Sequence, residues 1–249
     1  MNTSKELDYG IRSIRKGHGK DQYIIRFIRK GEMQMPVDFT VTSNKDSIYS
    51  YYIPNSWFEK KTKAKTLPRW IGWGKVEPMY DATVTIPGGI AKVTIDSTLR
   101  LGDINMLNNT RPFPIKYYFD SKVYNSPDWE NYEAFFGPSL WYNGYDGLQI
   151  GLHMHGDYML FKHNINGSIW LNTGLFQNNT TSIPNINAHQ IIAFTLGYQT
   201  PTDKFIRHSS VSLYTQSMDG LDEGKIMFQF KDNSLKNTFY TSLQGLYRP

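Results

Sequence analysis

Two histidines and an aspartate at alternate positions are the residues of this chain best suited to chemistry. His153, His155 and Asp157 stand at positions i, i+2 and i+4, and side chains two residues apart share one face of a β-strand. Imidazole nitrogens and a carboxylate oxygen are common ligands of zinc, so the spacing is compatible with a metal site. The same spacing is typical of the polar face of any half-buried sheet, and that plain structural interpretation is the one we favour.

No catalytic signature accompanies these residues. The chain has no H-E-x-x-H zinc motif, no G-x-S-x-G nucleophile elbow and no phosphate-binding loop. The residue types of a hydrolase triad occur close together in Asp203, His208, Ser209 and Ser210. A triad is defined by geometry and not by proximity in sequence, so this grouping carries little weight. We predict no catalytic residue and no cofactor in this chain, and leave open whether the protein is an enzyme.

The strand that must position the histidines belongs to a repeated pattern. From residue 147 onwards, apolar residues alternate with polar ones, which predicts strands with one apolar face and one wet face. Polar turns separate these segments, and consecutive antiparallel strands joined in this way form a meander. The predicted strands cover residues 147–161, 167–176, 189–200, 209–217, 224–231 and 237–247.

The length of these strands suggests a membrane as a partner. Several exceed the usual globular strand of about 5–6 residues and suit the strands of a membrane-spanning barrel, which have about 9–11 residues. Six predicted strands are fewer than the usual minimum of about eight in a closed barrel. The sequence therefore predicts a partial β-barrel that contacts a membrane through residues 147–247, with open edges that favour association with further strands.

The first part of the chain predicts a smaller β domain. Short, turn-bounded strands, among them an alternating one over residues 33–42, are typical of a β-sandwich. Asn108-Asn109 and two nearby prolines mark its end. The sequence Ser126-Pro127-Asp128 resembles a helix start. We therefore expect an all-β protein with a sandwich over 1–110, a linker with one short helix over 111–140, and a barrel-like antiparallel meander over 141–249.

Composition limits the remaining functions. The 249 residues include no cysteine, which excludes disulfides and thiolate metal sites. Their formal net charge is +5. The N-terminus lacks the apolar segment of a signal peptide. Lysines are interleaved with tryptophans over residues 57–73, but we interpret this segment as a solvated insert and predict no nucleic-acid partner. Three tryptophans are candidates for an aromatic platform that binds glycans: Trp70, Trp73 and Trp141.

Three stretches of the first domain resemble a known family. GEMQMPVDFTVT (31–42), YYIPNSW (51–57) and IPGGIAKVTIDSTLRLGDIN (86–105) resemble the β-sandwich that follows the catalytic region of membrane alanyl aminopeptidase-type zinc metallopeptidases. Ser97 departs from the proline that is commoner in the family. The residues that carry the resemblance are Met35-Pro36-Val37-Asp38, Tyr52-Ile53-Pro54, and Ile95-Asp96 through Asp103-Ile104-Asn105.

A further stretch, DWENYEAFFGPSLWYNGYDGLQIGLHMHGDY (128–158), resembles the barrel-like extension of large Bacteroidetes-type members of that family. The resemblance implies a non-catalytic C-terminal part of a zinc aminopeptidase-like protein, which supports an upstream peptidase domain and anchors it in the bacterial outer membrane or on the cell surface. Zinc is implied only for that catalytic domain. Two alternatives stay open, a soluble two-domain β protein that binds glycans or peptides, and a small metal-dependent hydrolase that uses His153, His155 and Asp157.

Overall fold

The computed structural model describes residues 5–73, 76–120, 126–144, 146–176, 191–203, 205–232, 234 and 236–247. Over these residues the secondary structure is almost entirely β, with one short 3-10 helix at Met106–Asn108. The predicted all-β class, a sandwich followed by an antiparallel meander, is thus confirmed. In this part of the chain no helix has the length and the apolar character needed to cross a membrane.

Contacts divide the chain into two compact units. The first comprises Met1–Pro114 and Trp129–Asn131, and the second comprises Ile115–Asp128 and Tyr132–Pro249.

The first unit is a sandwich of two sheets. One sheet has three strands in the order β1-β2-β6, and the other has five strands in the order β5-β4-β3-β7-β8. The strands are β1 (Tyr9–Lys16), β2 (Gln22–Arg29), β3 (Val37–Ser43), β4 (Ile48–Ile53), β5 (Lys65–Thr66), β6 (Met79–Thr85), β7 (Ile90–Ile95) and β8 (Thr110–Arg111).

Alternating apolar residues of both sheets form the core of the sandwich. Along β3, Val37, Phe39 and Val41 are buried, while the polar residues between them are only partly buried. The rings of Phe27 in β2 and Phe39 in β3 lie 4.8 Å apart and join the two layers. Period-two patterning with the apolar face against a second sheet is the arrangement expected of a sandwich.

The second unit is a single eight-stranded sheet in the order β16-β15-β14-β13-β12-β11-β10-β9. All neighbouring strands are antiparallel except β9 and β10, which are parallel. The strands are β9 (Ile115–Phe119), β10 (Tyr132–Asn143), β11 (Gly147–Tyr158), β12 (Lys162–Leu175), β13 (Ile192–Pro201), β14 (Ser209–Met218), β15 (Leu221–Lys231) and β16 (Thr238–Tyr247). The last six agree closely with the predicted meander, apart from residues 189–190, which lie outside the described residues.

The predicted linking helix is wrong. Residues 126–131 form no helix, and the segment that follows them is β10. This strand pairs with β9 on one side and with β11 on the other, and it buries Tyr132, Ala134 and Phe135. Ladder hydrogen bonds and burial outweigh the local helix-start signal, as tertiary context commonly does. Among the described residues, β9 pairs with β10 only as far as Phe136, so Pro138, which has no N–H, lies beyond that pairing, where a strand tolerates proline.

The eight-stranded sheet curls towards one of its faces. Asp219, in the turn between β14 and β15, accepts a hydrogen bond from the Asn143 side chain of β10 and lies 3.5 Å from Trp141 Nε1. In a flat sheet, strands four places apart are about 19 Å apart, at about 4.8 Å per strand. The sheet must therefore bend towards the face that carries Trp141. We call this face the inner face and the opposite one the outer face.

In the middle of β11, the curl places a polar residue inside and apolar residues outside. Along β11, Gln149 lies on the inner face and is fully buried, at 0% exposure. Ile150 and Leu152 lie on the outer face and are 50% and 60% exposed. The predicted division of β11 into one apolar and one polar face is therefore present. The middle of the apolar face, from Ile150 to Met154, is exposed, whereas Tyr158 at its end is buried.

Candidate functional site

Three ligand-type side chains meet on the inner face of β11 and at the end of β9. The Nε2 atom of His153 lies 2.6 Å from Oδ2 of Asp120, and Nδ1 of His155 lies 3.9 Å from Oδ1 of the same carboxylate. One ligand atom from each of the three residues falls within 4.8 Å of the others. We call Asp120, His153 and His155 the histidine–aspartate cluster.

The cross-strand ladder positions His155. Its ring stacks on Phe135 of β10, with centroids 5.0 Å apart and planes 10° apart. Phe135 stacks in turn on Tyr118 of β9, at 5.2 Å. The three residues are register partners across adjacent strands, where side chains on one face contact each other directly. The stack therefore fixes the plane of the imidazole.

A backbone carbonyl and a glycine position His153. Its Nδ1 atom lies 3.2 Å from the carbonyl oxygen of Pro138. Its register partner on β10 is Gly137, where a Cβ atom would lie 3.0 Å from Cε1 of His153 and 3.3 Å from Cβ of Asp120. Any larger residue at 137 would press on both members of the cluster, so this glycine provides the space that the imidazole and the carboxylate occupy.

Asp120 enters the cluster because it directly follows β9. Its backbone N–H donates to the carbonyl oxygen of Phe136 at 3.0 Å, which extends the parallel pairing of β9 and β10 by one residue. Asp120 could not be identified from local sequence, since it lies 33 residues before His153 and no short-range pattern connects the two residues. A prediction of the parallel β9–β10 pair was the only signal that would have found it.

The aspartate predicted from spacing takes a different role. Asp157 lies on the inner face with the two histidines, but its Oδ1 accepts the backbone N–H of Leu160 at 2.7 Å and closes the turn after β11. The carboxylate of the cluster comes from Asp120 instead. The structure thus brings His153 and His155 together as predicted, with a different acidic partner.

A cavity opens beside the two histidines. It has a volume of about 370 Å³, which lies within the range of about 300–1,000 Å³ typical of small-molecule pockets. Besides the histidines, residues of β10 and β12–β14 line it, including Ser139, Asn166, Ser168, Thr195 and Tyr214. Its lining is more apolar than polar in area, and the hydroxyl and amide groups of these five residues can bind a small ligand or water.

The three predicted platform tryptophans do not share one environment. Trp70 is 4% exposed and packs in the sandwich against Tyr9 and Tyr80, and a buried ring has no free face to stack on a glycan. Trp73, also in the first unit, is 68% exposed. Trp141 belongs to the second unit and lies 6.2 Å from the ring of Trp170 on the inner face.

The side chains of Asp203 and Ser209, two of the residue types of a hydrolase triad, form hydrogen bonds with backbone groups. The Asp203 carboxylate accepts the backbone N–H of His208 at 2.8 Å. The Ser209 hydroxyl donates to the carbonyl oxygen of Ile206 at 2.7 Å. These contacts stabilise the loop between β13 and β14.

Comparisons with family models, with characterised proteins and with solved structures found nothing similar to this chain.

Proposed function

We propose that the eight-stranded sheet anchors the protein in a lipid bilayer, with its outer face in contact with the acyl chains and its inner face turned away from them. The observation that carries this proposal is the exposure of an apolar outer face on a sheet that curls around polar residues.

The outer face is continuous across the sheet. Strand register aligns Leu152, Ile169 and Phe194 in one row, and Ile150, Leu171 and Ile192 in the next. Among the register-paired residues of this face that the structure describes, charge occurs only close to strand ends, at Lys162, the first residue of β12, and at Asp222, the second residue of β15. Exposed members of the face are Leu140, Ile150, Leu152, Met154, Ile169, Leu171, Ile192, Phe194, Leu196, Leu213, Ile226, Phe230 and Leu243.

Transfer of these exposed apolar side chains out of water provides a large free energy. Complete burial of one such side chain contributes about 1.5–3 kcal/mol, so removing a half-exposed one from water contributes about 1 kcal/mol. A dozen of them together contribute on the order of 10 kcal/mol on the same scale. Apolar patches of this extent mark a surface that binds a membrane or another protein.

Strand length and aromatic placement favour the membrane. Strands β10–β16 have 10 to 14 residues, and a tilted strand needs about 9–11 to cross the hydrocarbon region. Aromatic residues of the outer face lie near both strand ends, with Tyr142 and Tyr247 at one end and Phe230 and Phe239 at the other. Aromatic rims on both sides of an aliphatic band are typical of membrane-spanning sheets.

Anchoring in lipid places a demand on the two edges of the sheet. Among the described strands, β9 and β16 have a neighbour on one side only. Unpaired backbone groups in hydrocarbon cost several kcal/mol each. Both edges must therefore pair with further strands in the membrane, either from the same protein or from another copy.

Flotation with lipid vesicles tests the proposal. The full chain, refolded from detergent into phosphatidylcholine–phosphatidylglycerol vesicles, is expected to float with the lipid through a density gradient. Ile169→Arg places a charge on the outer face and is expected to cost about 2–4 kcal/mol near the bilayer centre, which strongly reduces the floating fraction.

Ser168→Arg is the matched control. It places the same charge on the adjacent residue, which faces the inner cavity of about 370 Å³, and it should float like the unchanged protein. Recovery of the unchanged chain in the lipid-free fraction would contradict membrane anchoring. Equal loss of flotation in the two variants would contradict the assignment of the faces.

The wider setting stays a prediction from the resemblance. We propose that the chain is the non-catalytic, anchoring part of a zinc aminopeptidase-like protein of the bacterial envelope. The lack of an H-E-x-x-H motif in the chain and the apolar outer face both support an anchoring role. A peptidase domain with that motif, encoded upstream in the same reading frame, is the expected finding, and an unrelated upstream sequence would contradict this setting.

A further inference from the structure

We propose that Asp120, His153 and His155 bind one divalent transition-metal ion, with zinc the best match, and that the remaining coordination position opens into the cavity that both histidines line. This proposal is independent of membrane anchoring, because it concerns the inner face alone.

The spacing of the donor atoms is close to that of a metal site. Zinc bound at about 2.0–2.2 Å in tetrahedral geometry holds its ligand atoms about 3.3–3.5 Å apart. In the cluster, the carboxylate of Asp120 lies 2.6 Å from His153 Nε2 and 3.9 Å from His155 Nδ1. The first distance must grow by about 0.7–0.9 Å and the second must shrink by about 0.4–0.6 Å to reach that spacing, so the side chains rotate when the ion binds.

The contacts of His153 leave its Nε2 atom available to a metal ion. Nδ1 faces the carbonyl oxygen of Pro138 at 3.2 Å, and Nε2 faces the Asp120 carboxylate. Without a metal, a hydrogen on Nε2 satisfies the contact with Asp120. With the hydrogen on Nδ1, the ring donates to Pro138, and Nε2 and the carboxylate can both bind one ion. Donation from the second ring nitrogen to a backbone carbonyl is the usual contact of metal-binding histidines.

Two features hold part of the cluster in place before an ion binds. The stack of Tyr118, Phe135 and His155 fixes one imidazole plane, and Gly137 leaves the volume that the other imidazole occupies. Ordering these side chains therefore costs little free energy on binding, which raises affinity for an ion. Histidine and carboxylate donors without thiolates suit zinc and neighbouring divalent ions of the first transition row.

The open coordination position follows from the ligand count and from the cavity. Three protein ligands plus an open position is the pattern of zinc sites that bind water or substrate, whereas structural sites are closed by four. The cavity that both histidines line carries hydroxyl and amide groups from Ser168, Thr195 and Tyr214. The fourth ligand is accordingly water or a small oxygen- or nitrogen-donor molecule.

Metal titration of the full chain in detergent micelles tests the proposal. Equilibrium dialysis against zinc should give one tightly bound ion per chain. Cobalt in its place should give the visible absorption of a four- or five-coordinate ion, and this spectrum should shift when azide is added. Asp120→Asn and His155→Ala should each weaken zinc binding at least about tenfold, while circular dichroism shows that both variants keep their strands.

Two controls separate this cluster from its alternatives. Asp157→Asn removes the carboxylate that spacing alone would have chosen, and His18→Ala removes an exposed histidine of the sandwich. Both should bind zinc like the unchanged chain. The proposal is overturned if no stoichiometric ion is retained, or if Asp157→Asn weakens binding as much as Asp120→Asn. A cobalt spectrum that azide leaves unchanged would overturn the open position.

Discussion

The sandwich and the eight-stranded sheet share one sequence pattern and bury opposite faces of it. In β3 of the sandwich, the apolar residues Phe39 and Val41 are buried and the polar residues between them are partly exposed. In β11 of the eight-stranded sheet, the polar residue Gln149 is buried, and its apolar neighbour Ile150 is half exposed. The sandwich covers its apolar face with a second sheet, whereas the eight-stranded sheet curls over its polar face.

This contrast separates what alternation determines from what it leaves open. A period of two requires a strand with two different faces, and both regions obey it. Which face is covered depends on what the sheet packs against, and that partner is a second layer of protein in one case and, in our proposal, lipid in the other. The same apolar side chains then provide folding free energy in the sandwich and anchoring free energy in the curled sheet.

The largest expected difference between the two regions concerns phenylalanine truncation. Phe39→Ala removes a fully buried ring from the sandwich core and should lower the free energy of unfolding by about 3–5 kcal/mol. Phe194→Ala removes a ring from the outer face and should change it by about 0.5 kcal/mol or less in detergent. Urea unfolding of the full chain in one detergent, followed by circular dichroism, measures both. Equal losses would contradict the opposite burial of the two faces.

A smaller effect is expected where the curl is held. Asp219 and Gly220 both have positive φ, which suits a two-residue hairpin turn. Asp219→Gly keeps that turn and removes the side-chain contacts to Trp141 and Asn143. We expect a loss of about 1 kcal/mol in the unfolding free energy of the sheet. Asp46→Gly, at a positive φ in a turn of the sandwich, is the control, and an equal loss there would remove Asp219 from its role in the curl.

The smallest effect on stability is expected from an ion pair on the surface of the sandwich, between Arg26 and Asp81. Two hydrogen bonds from Arg26, at 2.7 and 2.6 Å, lower the pKa of Asp81 below its ordinary value. The stabilisation from this pair is present above the unfolded-state pKa of about 3.9 and is lost as the pH falls through the lower folded-state pKa. Asp81→Asn should therefore be slightly less stable than the unchanged chain at pH 7, and this difference should shrink as the pH falls through the lowered pKa of Asp81. A difference that does not change with pH would assign the effect to packing.

Strands with clean alternation could be predicted from sequence, and those without it could not. The six strands from residue 147 onwards were visible because their apolar and polar residues alternate. Strand β10 was not, since its first four residues are all buried and Ser126-Pro127-Asp128 mimics a helix start. Strand β9 has only five residues, and it pairs in parallel with β10, which was itself not predicted as a strand.

The histidine–aspartate cluster was half predictable for the same reason. His153 and His155 share a face because they are two residues apart on one strand, and this spacing can be read from the sequence. Asp120 joins them only through the parallel pairing of β9 with β10, and no local pattern in the sequence predicts that pairing. The direction of the curl depends on contacts such as that between Asp219 and Asn143, 76 residues apart, so the inside of the sheet could not be assigned from alternation.

Single-cysteine labelling measures most directly whether the outer face meets lipid. The chain has no cysteine, so one introduced thiol carries a bimane label without competition. Ile169→Cys and Phe194→Cys place the label on the outer face, and Ser168→Cys and Thr195→Cys place it on the inner face at neighbouring positions. In vesicles that contain nitroxide-labelled lipid, we expect strong quenching at the first two positions and little at the other two. Quenching at the inner positions, or equal quenching at all four, would contradict a lipid-facing outer surface.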